Sequence, residues 1–470
     1  MVFSSILFLG LFLPVTLFLY YLFPNRRIRN AVLLIASLVF YAWGEPVWVF
    51  AMVALAVLDY LAGLLLAAAG GAWKRVLLAV TIVMNLALLF LFKYYNFLSD
   101  SIASLLAMLQ ITIVPPSFPF GMPIGISFFT FQAITYVVDV SRGEVTPQKN
   151  PFRVLLYIAL FPQLIAGPIV RYRDVEYEIG NRRETMQDFA EGAFRFAVGL
   201  GKKVIFANYA GKVASTLLTE QIGTLTADSA WIGALMFTLQ IYFDFSGYSD
   251  MAIGLGRMFG FHFQENFNYP YMSRSVTEFW RRWHISLGSF FRDYVYIPLG
   301  GNRRHMWFNI LLVWVLTGLW HGASWNFMLW GLYYAVLLIC EKCLRRNGIE
   351  MGKLPFASNL LLLLITVFGW VIFYYTDFSQ MLTCLRAMLG LGGIATEMTL
   401  MQLSSVSGIY YLIPAMVIGA TPLPARLAKR LVGGRGLEPV LRTAWMLLLL
   451  AVCFTLIVYQ TYNPFLYFRF

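Results

Sequence analysis

Thr317-Gly318-Leu319-Trp320-His321-Gly322-Ala323-Ser324-Trp325 sets one imidazole inside a long apolar run. Arg303 and Arg304 precede the run, and Lys342, Arg345 and Arg346 follow it. Clustered basic residues mark the cytoplasmic ends of membrane segments, so both flanks fall on one side. The chain between them enters the bilayer and returns, with His321 near the turn. The ~16 residues from Arg304 to His321 span roughly 24 Å as a helix, most of an apolar slab ~30 Å thick. An ionisable group at that depth is costly and is a functional-site candidate by default. The structural alternative is a histidine hydrogen-bonded between packed helices.

The rest of the chain is built for the same solvent. Of its 470 residues, 60% are hydrophobic, 17% aromatic and only 12% charged, with a mean hydropathy of +0.70. Soluble domains carry about 25% charged residues. The fold class is therefore all-α polytopic membrane protein, with room for roughly a dozen spans. The net charge of +12 does not point to nucleic acid, because the basic residues sit between apolar runs, where they set orientation and meet anionic headgroups. The first run lacks a basic start and a small-residue cleavage site, and Arg26, Arg27 and Arg29 come after it; it reads as an uncleaved span with the N-terminus outside. Cys340 and Cys343 form a lone Cys-x-x-Cys with no second pair or nearby histidine, so no metal site is expected.

Further apolar runs follow at 31–43, 47–69, 76–92 and 124–140. Pro115, Pro116 and Pro119 forbid a continuous helix over 99–123, which is assigned to the outer interface. The run 154–170 carries Pro162, Gly167 and Pro168 and reads as a second broken segment, implying an internal cavity. The run 204–218 crosses outward and 231–251 returns. That return contains Asp244 and Asp250, six apart and so on different helix faces. They fit a cation site or, more readily, structural hydrogen bonding. Glu278 to Gly288 alternates aromatic and cationic residues and reads as an interfacial amphipathic helix. Its Arg281 and Arg282 are either headgroup anchors or an entrance for an anionic donor. Runs at 360–375, 409–420 and about 443–462 complete the chain, and the aromatic tail 463–470 is placed outside. One membrane domain, 1–470, is expected.

Several strings together resemble the membrane-bound O-acyltransferases, specifically their bacterial alginate O-acetyltransferase branch, related to the D-alanyl transfer protein of teichoic acid. They are Trp280-Arg281-Arg282-Trp283-His284-Ile285-Ser286, Tyr296 to Arg303 (YIPLGGNR), Gly318 to Gly322, Tyr242 to Asp250 and Leu164 to Pro168. The resemblance covers nearly the whole chain. It implies a ring of about 11 transmembrane helices with re-entrant and interfacial helices around a central pore. It maps the family's invariant histidine to His321 and its second characteristic histidine to His284. It implies an acyl donor substrate, acetyl-CoA or an acyl-carrier thioester, rather than a bound cofactor. The acyl group, acetyl by this resemblance, would cross a bacterial inner membrane to an SGNH-type O-acetyltransferase that modifies an exopolysaccharide such as alginate. The tail is similar to an acyl-relay motif, which maps to Tyr467.

The residue chemistry is compatible with these roles. A histidine near pKa 6.5 can accept and return a proton at neutral pH. Trp320 and Trp325 are expected to narrow the channel beside His321 and limit hydrolysis. A phenol near pKa 10 leaves its ester activated, which suits Tyr467 to a relay; the alternative is an interfacial aromatic belt. His284 is either a second acid/base group or a structural partner. His262 and His305 are assigned nothing. D-alanyl transfer to a wall polymer, and glycan or lipid transport, remain as rival functions.

Overall fold

A computed structural model describes the chain except residues 166, 351, 392–397, 399–401, 403, 405, 407, 433–437, 461–464 and 467–470; of 409, 410 and 432 it describes the backbone alone. Every regular element among the described residues is helical. The helices are α1 (Leu13–Leu22), α2 (Arg26–Ala42), α3 (Trp48–Ala68), α4 (Gly71–Lys93), α5 (Tyr95–Met108), α6 (Ile126–Arg142), α7 (Pro151–Ala159), α8 (Phe161–Leu164), α9 (Tyr172–Asn181) and α10 (Met186–Gly201). Next come α11 (Asn208–Ser215), α12 (Ala227–Met258), α13 (Val276–Arg282), α14 (Ile285–Phe291), α15 (Met306–His321) and α16 (Trp325–Arg346). The last are α17 (Pro355–Tyr374), α18 (Phe378–Met388), α19 (Ile409–Gly419), α20 (Leu423–Val432) and α21 (Glu438–Tyr459).

These helices form two compact units, Met1–Ala193 with Ala252–Gln264, and Phe194–Met251 with Glu265–Phe470. In the first, α6 is the core: every residue from Ile126 to Val140 is buried. Of its buried polar side chains, Thr135 is paired: its Oγ1 meets the Tyr157 hydroxyl at 3.1 Å, and that hydroxyl donates to Val170 O at 2.8 Å. The broken segment expected over 154–170 is present as α7, α8 and an irregular stretch. Ser37 Oγ accepts from Phe161 N at 3.1 Å, and the described residues from Phe161 to Tyr172 are buried in protein. Protein therefore covers this backbone, and the internal cavity inferred for it is not required. Gly125 precedes α6 at φ +77°, where a Cβ would stand 2.9 Å from Leu164 O.

In the second unit, α10 and α12 cross at glycine. A Cβ on Gly199 would stand 2.6 Å from Gly247 O, and one on Gly247 3.1 Å from Lys202 Cβ. α15 and α16 form an antiparallel hairpin with equally close backbones: a Cβ on Gly318 would strike the Phe327 carbonyl, and one on Gly331 the Trp314 carbonyl.

Five helices among the described residues (α3, α4, α16, α17 and α21) are long and apolar enough to cross a membrane. A sixth span is reached if α19 and α20, bent by 80° beside Pro422, count as one. The other expected spans are shorter or more polar. α15 has 16 residues, while α12 has 32 residues and carries Asp244 and Asp250. The stretch 99–123 is helical to Met108 and irregular thereafter, and 278–288 is not one interfacial helix. It breaks between α13 and α14, and its Phe279, Trp283, His284 and Leu287 are core residues.

Candidate active site

The hairpin turn delivers His321. The residue ends α15, Gly322 to Ser324 turn the chain, and α16 begins at Trp325. Asn326 Nδ2 donates to Ile372 O at 3.3 Å and Phe373 O at 3.2 Å, which ties the turn to the last turn of α17. The His321 ring is partly exposed and stands edge-on to three aromatic rings: Trp320 at 5.0 Å, Trp330 at 5.1 Å and Phe373 at 5.1 Å. Trp320, 3% exposed, packs beside His321. Trp325 opens α16 and is 52% exposed. Trp330, more than one helical turn further on, also packs against the imidazole.

The same indole brings in the second histidine. His284 lies 5.7 Å from Trp320, ring centre to ring centre, and Phe245 packs on its other side at 4.6 Å. His284 is 2% exposed and adopts φ +45° between α13 and α14. A left-handed backbone is strained for a residue with a Cβ and persists where the surroundings demand it.

Those surroundings fix its tautomer. Asn266 Oδ1 accepts the Ser286 backbone N–H at 3.2 Å, so this atom is the amide oxygen. The Ser286 hydroxyl also donates to it, at 2.9 Å. His284 Nδ1 lies 3.1 Å from the same oxygen and must therefore carry the proton. Asn266 Nδ2 donates to Ser249 Oγ at 3.0 Å, which confirms the amide's orientation. The lone pair of the neutral ring then belongs to Nε2, a buried atom with no hydrogen-bond partner among the described residues. A buried orphan acceptor is costly, and such atoms mark strain or chemistry.

Arg281 and Arg282 part company. Arg282 pairs with Glu278 at 2.6 Å one turn back, while Arg281 is exposed. Neither carboxylate of the Asp244-to-Asp250 string is left for a cation. Asp244 Oδ1 pairs with Lys203 at 2.6 Å, and Asp250 pairs with Arg195 at 2.8 Å and Lys202 at 2.6 Å. Asp244 Oδ2 also accepts the Leu466 backbone N–H at 2.9 Å. Phe465 stacks on Tyr248 at 4.7 Å, and Phe465 and Leu466 are each 4% exposed. The described part of the tail is thus packed into protein, not spread as a surface belt. Tyr467 itself lies outside the described residues. Leu466 also lines a 290 Å³ cavity with Thr219, Phe237, Phe327, Tyr374 and Tyr375. Phe327 packs on Phe373 at 4.9 Å, and Phe373 is the ring that touches His321.

Sequence reasoning missed Asn266 and the Lys203–Asp244 pair. Asn266 is 18 residues from His284, a separation no local pattern connects. Lys203 and Asp244 likewise lie on different elements, too far apart in sequence for a local pattern to pair them.

Residues 147–385 match the family described as MBOAT, membrane-bound O-acyltransferase, a stretch that holds Lys203, Asp244, Asn266, His284 and His321. The chain belongs to the membrane-bound O-acyltransferase family. It is 39% identical to "Probable alginate O-acetylase AlgI" of Azotobacter vinelandii over the full length of both chains. It is 32% identical to the peptidoglycan O-acetyltransferase of Helicobacter pylori, over 84% of this chain and 81% of that one. It is 29% identical to the teichoic acid D-alanyltransferase of Bacillus subtilis, over 54% and 68% respectively. The protein is a membrane O-acyltransferase, and its His321 and His284 both pack against the buried Trp320 indole.

Proposed function

We propose that this membrane O-acyltransferase takes an acetyl group from a cytoplasmic thioester and passes it across the bacterial inner membrane for O-acetylation of an exopolysaccharide such as alginate. His321 is the base. The attacking hydroxyl gives its proton to the imidazole as its oxygen bonds to the thioester carbonyl carbon. The C–S bond then breaks, the thiolate takes the proton from His321, and an oxygen ester and a free thiol remain. His284, with its proton held on Nδ1 by Asn266, offers Nε2 as a second acceptor on the other side of Trp320. Arg281 meets the anionic donor, acetyl-CoA or an acylated carrier.

The hydroxyl is that of Tyr467. Its aryl ester keeps the acyl group activated for transfer to an SGNH-type partner outside the membrane. The observation that carries this reading is the burial of Phe465 and Leu466, the residues just before Tyr467, beside a cavity whose Phe327 wall leads through Phe373 to His321. An acetyl-type reaction is favoured over D-alanyl transfer because the likeness to the alginate O-acetylase runs through both chains completely.

The test is thiol release from acetyl thioesters by purified protein. Wild type should release thiol, and Tyr467→Phe should lose transfer while remaining in the membrane. A Tyr467→Phe variant that acetylates polymer normally would remove the relay, and a wild type inert toward every thioester would favour transport.

A further inference from the structure

We infer that Asp244 is a positioning residue: through its ion pair with Lys203 it clamps the backbone at Leu466 and so sets the register of the C-terminal tail. This rests on the reading that Tyr467 carries the acyl group. Asp244 is 2% exposed, and its two oxygens face different tasks. Oδ1 meets Lys203 Nζ at 2.6 Å, and Oδ2 accepts the Leu466 N–H at 2.9 Å. The lysine comes from just beyond α10, which reaches α12 only because Gly199 and Gly247 let the backbones approach. One turn along α12 from Asp244, Tyr248 stacks on Phe465.

A clamp that grips a main-chain N–H fixes position along the chain whatever the side chain is. A carboxylate is the stronger acceptor for it, since charge-assisted hydrogen bonds are shorter and roughly twice as strong as neutral ones. The cation makes burial of that carboxylate tolerable. The neighbouring Asp250 does not share the task. It is paired with Arg195 and Lys202 and lies on another face of α12. The main chain is therefore gripped at Leu466 beside the stacked Phe465, and Tyr467 is the next residue in the sequence.

The experiment reads tail protection and tail chemistry separately, on the full-length protein in detergent. Hydrogen exchange of the C-terminal peptide measures protection, and acylation of Tyr467 from a labelled acetyl thioester measures register. Two variants remove the clamp by different routes. Lys203→Met with Asp244→Leu deletes both charges together and leaves no buried ion unpaired. Leu466→Pro deletes the N–H and leaves the ion pair intact. Both should exchange about tenfold faster in the tail, the loss expected for one charge-assisted hydrogen bond. Both should also acylate Tyr467 about tenfold more slowly at unchanged donor KM. Wild-type exchange in both clamp variants would overturn the clamp, and faster exchange with unaltered acylation would overturn its positioning role. A wild type whose Tyr467 takes no label would remove the relay reading alone, because exchange still decides whether Asp244 holds the tail.

Discussion

At the scale of single residues, the chemistry rests on two imidazoles in different circumstances. His321 is partly exposed among aromatic edges, and His284 is sealed and oriented by one amide. General-base assistance contributes about 10²–10⁴-fold to a rate, so His321→Ala should lower thiol release by that factor while thermal unfolding stays near wild type. Asn266 answers for three groups at once: the Ser286 N–H, the Ser286 hydroxyl and His284 Nδ1–H. Asn266→Ala strips their acceptor, and each buried donor left unsatisfied costs about 1–3 kcal/mol. A fall in unfolding temperature together with a fall in kcat at unchanged donor KM is expected from calorimetry and steady-state kinetics. The ion pair at Asp244 has its own signature. Asp244→Ala alone removes the carboxylate paired with the buried Lys203 and should cost about 3–5 kcal/mol, more than removing both charges together.

At the scale of elements, the α15–α16 hairpin is what carries His321 to its place. Gly331→Ala would push a methyl group into the Trp314 carbonyl, and overpacking of this kind costs about 1–3 kcal/mol or more. Reduced folded yield and loss of transfer should appear together, without any change to a reacting group. In the first unit, α1, α2 and the link between α9 and α10 are joined at Glu184, which takes hydrogen bonds from Tyr20, Arg26 and Arg29, the last at 2.8 Å. Burial opposes its charged form, but the hydrogen bonds from Arg26 and Tyr20 win and hold it at about 2. A depressed carboxylate stabilises the fold fully above its ordinary value of 4.5 and loses that contribution as pH falls toward 2. Acid unfolding followed by fluorescence should therefore be less steep over that window in Glu184→Gln.

At the scale of the whole molecule, the membrane class and the hairpin were legible because they depend on runs of like residues. Apolar stretches ended by Arg and Lys need no partner to be recognised. The His321 turn follows from basic residues on both flanks. Length misled where polarity intervened: α12 is long enough to cross a bilayer but carries Asp244 and Asp250 in its second half, and both are answered by basic residues at or near α10. The 278–288 stretch looked interfacial because its arginines alternate with aromatics. In the structure Phe279 and Trp283 are core residues, and Trp280 packs against that core. The docking of Phe465 and Leu466 on α12 was not legible, because the contact joins residues more than 200 apart. No periodicity marks a main-chain N–H as the partner of a buried aspartate.

The central claim is that His321 drives acyl transfer from a thioester to the C-terminal tail. Mass spectrometry of the tail peptide, after incubating purified wild type and His321→Ala with an isotopically labelled acetyl thioester, tests it directly. The account predicts label on Tyr467 in the wild type and labelling slowed about 10²–10⁴-fold in a folded His321→Ala variant. Equal labelling of the two proteins would contradict it.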